Sequence, residues 1–178
     1  MNWANALTWS RLAMIVPSTI AAYLQMRGLV LGLFVVAGLT DVLDGPVARR
    51  TGVASAHGAA LDNRVDVMLG LAVILWLRLL FPAFFAEFWP WMVCIVCLTA
   101  GELALTRLLV GRVAGLHLWS AKLAGLGVAV LLVSLTVFDD VSSLARAVIV
   151  VFLYARTEGI VYLAKGGKNL DARFFWDP

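Results

Sequence analysis

Residues 88–110 read F-W-P-W-M-V-C-I-V-C-L-T-A-G-E-L-A-L-T-R-L-L-V, an apolar run interrupted only by Glu102 and Arg107 among its charged types. At about 1.5 Å of helical rise per residue, a run of this length crosses the roughly 30 Å hydrocarbon core of a bilayer. A soluble helix would carry a polar face that this stretch lacks. The pattern recurs on both sides of it. Further spans are expected at residues 10–25, 30–48, 61–80, 121–137 and 144–163, with turns at Arg27-Gly28, Pro82, Asp139-Asp140 and Gly166-Gly167. Residues 1–9, with Trp3 and Trp9, form a separate expected segment lying at the interface. The predicted architecture is all-α and integral to the membrane: six transmembrane helices in a single domain over residues 1–178.

Composition excludes the alternatives. With 62% hydrophobic and 14% charged residues, the chain has too little polar surface to coat a soluble globule. The net charge of +3 is spread singly between apolar runs, which argues for phosphate contacts and topology rather than for nucleic acid. On the six-span layout Arg11, Arg49, Arg50, Arg64, Arg107, Arg112, Lys122, Arg156, Lys165, Lys168 and Arg173 fall on one side, and Arg27, Arg78 and Arg146 on the other. The first side is therefore expected to be cytoplasmic, with both termini. Cys94 and Cys97 lack companions for a zinc set and read as packing residues.

Four acids stand out at the expected cytoplasmic ends of two spans: Asp41 and Asp44 close the second, and Asp62 and Asp66 open the third. Carboxylates inside membrane segments are expensive and are read first as functional. Spacings of i,i+3 and i,i+4 put each pair on one helical face. The short connection over 49–61 folds the two helices antiparallel, so that all four acids are expected to meet. Together they would repel and protonate unless cations neutralised them, which argues for a hard divalent metal on oxygen ligands, Mg2+ or Mn2+ rather than zinc. Two such ions side by side clamp a phosphoryl group between attacking and leaving oxygens. Gly45, Ala48, Gly52, Gly58, Ala59 and Ala60 leave room for a bulky ligand near the backbone. Pro46 is expected to loosen the helix, and Arg49 to fork onto phosphate.

From Asp41 the chain reads D-V-L-D-G-P-V-A-R, then eight residues, then G-A-A-L-D-N-R-V-D. This resembles the signature of the CDP-alcohol phosphotransferase family, D-x2-D-G-x2-A-R-x8-G-x3-D-x3-D, at every fixed position. The stretch Asn5 to Arg11, N-A-L-T-W-S-R, is also similar to the N-L-T-x-x-R that often opens bacterial members. The resemblance implies six transmembrane helices, usually in a homodimer, around a polar cavity open to the cytoplasm, here of the bacterial inner membrane. A CDP-linked lipid, commonly CDP-diacylglycerol, would bind with its pyrophosphate on two metals. An alcohol would attack the phosphorus bearing the lipid, and CMP would leave. Carried over by position, Asp41, Asp44 and Asp62 would be metal ligands, Asp66 a metal-touching general base, and Gly45, Ala48, Arg49 and Gly58 the lining of the CDP pocket.

Other readings compete for the same residues. The acids alone also suit an ion-pair cluster with Arg49, Arg50 and Arg64, or an intramembrane prenyltransferase; a membrane scaffold or transporter with a degenerate site is the non-enzyme reading. Arg107, Arg112, Lys122 and Arg156 gather at the expected cytoplasmic mouth, as topology anchors or as a phosphate pocket for an acceptor such as glycerol 3-phosphate or an inositol phosphate. Glu102 is expected to pair with Arg107 or with another helix's cation. Gly32, Gly38, Gly70 and Gly125 read as helix-packing positions. His57 and His117 read as loop residues without a catalytic part, and the aromatics of 81–91 as an interfacial belt.

Overall fold

The computed structural model describes residues 3–50, 56–111, 115, 116, 118–167, 169, 174 and 176, the side chains of 3–5, 41–50, 56, 57 and 59 excepted. The described residues form six helices and no strand: α1 (Trp3–Tyr23), α2 (Arg27–Arg50), α3 (Ala56–Leu80), α4 (Pro82–Val110), α5 (Trp119–Val137) and α6 (Ser142–Ala164). The chain is thus all-α, as expected. Of these helices α4, α5 and α6 are long and apolar enough to cross a membrane, and α2 has a shorter apolar stretch, Arg27–Thr40. Their outer faces expose Val93, Val96, Leu126, Val130, Val133 and Val150. Apolar surface on that scale is a lipid-facing feature. The six-span expectation is met in helix count, while α3 departs from a purely apolar span through Asp62, Arg64, Asp66 and Arg78.

Several expected boundaries are corrected. Residues 3–9 do not form a segment of their own: α1 runs unbroken from Trp3 through Pro17 to Tyr23, while residues 1 and 2 lie outside the described residues. The polar first half of α1 is a continuous helix because Thr8 and Arg11 are buried within the fold and need not lie along an interface. The turn before α2 falls at residues 24–26, with Gln25 in the left-handed region at φ 58°, so Gly28 belongs to the helix. Pro82 starts α4 instead of separating it from the preceding span by several residues; the first helical position tolerates proline because its N–H would have no helical partner there. The backbone of α2 continues as helix through Gly45-Pro46 to Arg50.

Met1–Glu87 forms one compact unit. In it α1 packs on both α2 and α3. Lipid tails are as apolar as leucine, so close fit and hydrogen bonds decide such packing. Fit comes from small residues, with Ala21, Ala22 and Ala37 almost wholly buried. The bonds come from Trp76, whose Nε1 donates to Thr19 Oγ1 at 3.0 Å, and from Gln25, whose Nε2 donates to the Leu79 carbonyl at 2.9 Å. Arg27 lies 4.8 Å from the centre of the Phe81 ring and closes the same end.

Phe88–Pro178 forms the second unit. Here α5 packs on α6. A Cβ on Gly127 would lie 3.2 Å from Val148 Cγ2, and one on Gly159 would lie 3.0 Å from the Glu102 carboxyl. These two glycines, and not the expected set, mark the helix contacts: around Gly32, Gly38, Gly70 and Gly125 the Cβ position is open to 4 Å among the described residues. Where a helix is apolar on every side, its sequence does not say which face meets a neighbour. Cys94 and Cys97 are likewise exposed on α4 and do not pack inside the protein. Leu116 and Leu118, between α4 and α5, turn inward to form a core with Tyr162 and Leu163. Beyond α6, Gly166 at φ 88° reverses the chain, with the Gly167 N–H on the Tyr162 carbonyl and the Gly166 N–H on that of Leu163. The Tyr162 hydroxyl then donates to the Asn169 carbonyl and accepts from its N–H, both at 3.0 Å.

Candidate active site

Asp62 and Asp66 lie one turn apart in the N-terminal part of α3, and one guanidinium joins them. Arg11 of α1 donates from Nη1 to Asp66 Oδ1 at 2.9 Å and from Nη2 to Asp62 Oδ1. The arginine side chain is 1% exposed, against 26% for Asp62 and 50% for Asp66. Both bonds are charge-assisted, the class that repays burying a guanidinium. The three residues divide by access: the cation is sealed in, one acid is half-buried and the other is open.

The structure therefore brings together two of the four motif acids and adds a residue that sequence reasoning counted only as a topology cation. Its signal was present, since Arg11 ends the N-A-L-T-W-S-R stretch, but nothing in local spacing ties it to acids more than fifty residues away. Asp41, Asp44, Gly45, Ala48 and Arg49 belong to the last turns of α2, and their side chains lie outside the described residues. Gly58 lies in the first turn of α3. The side chain of His57, and Arg112 and His117 altogether, also lie outside the described residues.

Among the described residues no three His, Cys, Asp or Glu side chains gather as a metal site. The Asp62/Asp66 pair nonetheless suits a hard cation: its donors are carboxylate oxygens, and the fold already sets a positive group between them. Asp66 is the more open of the two acids.

In the second unit the expected cations take separate partners. Arg156 of α6 donates from Nη1 to Glu102 Oε2 of α4 at 2.8 Å, which settles the choice left open for Glu102 in favour of another helix's cation. Glu102 is 2% exposed, and the Leu116 N–H is a further hydrogen-bond partner of its carboxyl. Gly159 leaves the space that this carboxyl fills. Arg156 retains a buried Nε without a hydrogen-bond partner among the described residues. Arg107 donates to the Gly111 carbonyl at the end of its own helix, and Lys122 sits 5.2 Å from the centre of the Trp119 ring.

The sequence model of a family described as CDP-alcohol phosphatidyltransferase matches residues 1–157. Comparison with curated proteins and with solved structures gives no match.

Proposed function

Because the chain belongs to the CDP-alcohol phosphatidyltransferase family, a family of phosphotransferases, we propose that it transfers a phosphatidyl-type group from CDP-diacylglycerol to an alcohol acceptor and releases CMP. The observation that carries this reading is the pairing of Asp62 and Asp66 on one face of α3 around a positive charge, inside the intact D-x2-D-G-x2-A-R-x8-G-x3-D-x3-D motif.

In this reading Asp41, Asp44, Asp62 and Asp66 hold two Mg2+ or Mn2+ ions, and Gly45, Ala48, Arg49 and Gly58 line the CDP pocket. The ions, when bound, neutralise the pyrophosphate and make CMP a good leaving group. The acceptor hydroxyl oxygen forms the new bond to the lipid-bearing phosphorus as the phosphorus–oxygen bond to CMP breaks, and the hydroxyl proton passes to Asp66. The 50% exposure of Asp66 supports its part as base, and the lower exposure of Asp62 its part as ligand. An acceptor carrying a phosphate, glycerol 3-phosphate or an inositol phosphate, is the substrate class that the second unit favours, since Arg156 keeps an uncommitted buried Nε. Arg107, Arg112 and Lys122 add positive charge for it. The enzyme works as a homodimer of six-span chains in the bacterial inner membrane, its site facing the cytoplasm and its catalytic domain covering the chain.

The test is CMP release by the purified protein in detergent, with CDP-diacylglycerol and a panel of acceptors read by mass spectrometry. Chelation is expected to abolish turnover. Asp66→Asn is expected to lose about 10²- to 10⁴-fold in kcat while CDP-lipid binding persists. Release of pyrophosphate from a prenyl donor in place of CMP, or full activity in Asp66→Asn, would refute the assignment.

A further inference from the structure

Arg11 is the most deeply buried cation among the described residues, and its guanidinium bridges Asp62 and Asp66 from a different helix. Neither acid can present those oxygens to another cation while the guanidinium holds them, because the contacts use Oδ1 of both carboxylates. A guanidinium and a divalent ion on the same oxygens also repel each other. We propose that Arg11 is the resident counter-cation of the Asp62/Asp66 pair in the metal-free protein, and that a divalent cation gains those oxygens only by displacing it. This rests on the reading of Asp62 and Asp66 as metal ligands.

The arrangement has two consequences. Without metal, two acids one turn apart on α3 have a cationic partner built into α1. With metal, the apparent affinity is lowered by the fraction of molecules in which Arg11 has left the acids. Arg11 is in these terms a positioning residue that sets metal affinity, and removing it should tighten metal binding. A residue serving only the packing of α1 on α3 would leave that affinity unchanged or weaken it.

The experiment uses the full-length protein in detergent without substrate, with Mn2+ alone as the probe. Free Mn2+ is followed by electron paramagnetic resonance, and thermal unfolding is measured across the same titration. Arg11→Gln is expected to bind Mn2+ at least about tenfold more tightly than the unsubstituted protein. Its Tm should be lower without metal and recover on saturation. Arg11→Lys, which keeps a cation but not the fork and so remains close to the native arrangement, is expected to fall between the two. Adding Asp62→Asn to Arg11→Gln should cancel the gain. Equal or weaker Mn2+ binding in both Arg11 variants, with wild-type binding lost in Asp62→Asn, would overturn the proposal and leave the metal-site reading standing. No saturable binding in any of the proteins would overturn both.

Discussion

Replacing Arg156 by methionine leaves the Glu102 carboxyl in the middle of an apolar helix without its cation. The structure sets the size of the effect through the unequal exposure of the partners: Glu102 is 2% exposed and Arg156 15%, with 2.8 Å between donor and acceptor. Removing one member of a buried pair costs about 3–5 kcal/mol, chiefly the penalty of the charge left behind. That penalty is greater for the more enclosed group, so Arg156→Met is expected to reach this range. Glu102→Gln should cost about 1–3 kcal/mol, because the amide oxygen still accepts from Arg156 and the guanidinium has some access to solvent. The double variant Glu102→Gln with Arg156→Met removes both charges and should be more stable than Arg156→Met alone, because the amide oxygen can still accept from the Leu116 N–H. The assay is reversible unfolding in mixed micelles, followed by tryptophan fluorescence for all four proteins. A loss below about 1 kcal/mol in Arg156→Met, or a double variant whose loss equals the sum of the single losses, would refute the argument that the pair acts as one unit.

Two further outcomes follow from local geometry. Gly159→Ala would set a methyl 3.0 Å from the Glu102 carboxyl and is expected to cost about 1–3 kcal/mol in the same unfolding assay, whereas Gly125→Ala, in open space within α5, should be neutral or stabilising. In the turn before α6, Asp140 Oδ1 accepts from the Ser142 N–H at 2.8 Å, and the Ser142 backbone and hydroxyl hold its carboxyl below the usual aspartate value of 3.8. A depressed folded-state value stabilises above the unfolded one, so the Tm difference between wild type and Asp140→Ala should be constant from neutral pH down to about pH 4 and shrink as acid titrates the folded carboxyl. A difference that grows on acidification would contradict the sign.

The all-α fold was legible because membrane length is a strong signal: a run such as 88–110 has few soluble explanations. Boundaries were less so, and for reasons of context. Trp3 and Trp9 made the start of α1 look like an interfacial segment, yet Thr8 and Arg11 are buried there, Arg11 against the acids of α3, so polarity at that end signals a tertiary contact. Pro82 reads locally as a breaker and acts as a helix start. The acids of α3 were visible as a pair from their i,i+4 spacing, but the cation between them was not, since spacing describes neighbours on one helix and Arg11 arrives from another. For the same reason Glu102 was expected to find either Arg107 or a distant cation, and only the fold selects Arg156.

The burial of Arg11 also constrains how the protein is made. The helix that carries it is synthesised before α3, whose Asp62 and Asp66 follow Arg11 by 51 and 55 residues. Until α3 is in place, Arg11 lacks these two partners, and the hydrocarbon core disfavours a charge that the headgroup region accepts. On this ground α1 is expected to reach its final place only once α3 joins it. Insertion order and assembly of the Asp62/Asp66 site are then coupled, and a chain that fails to deliver those acids is expected to fail to seat α1 as well.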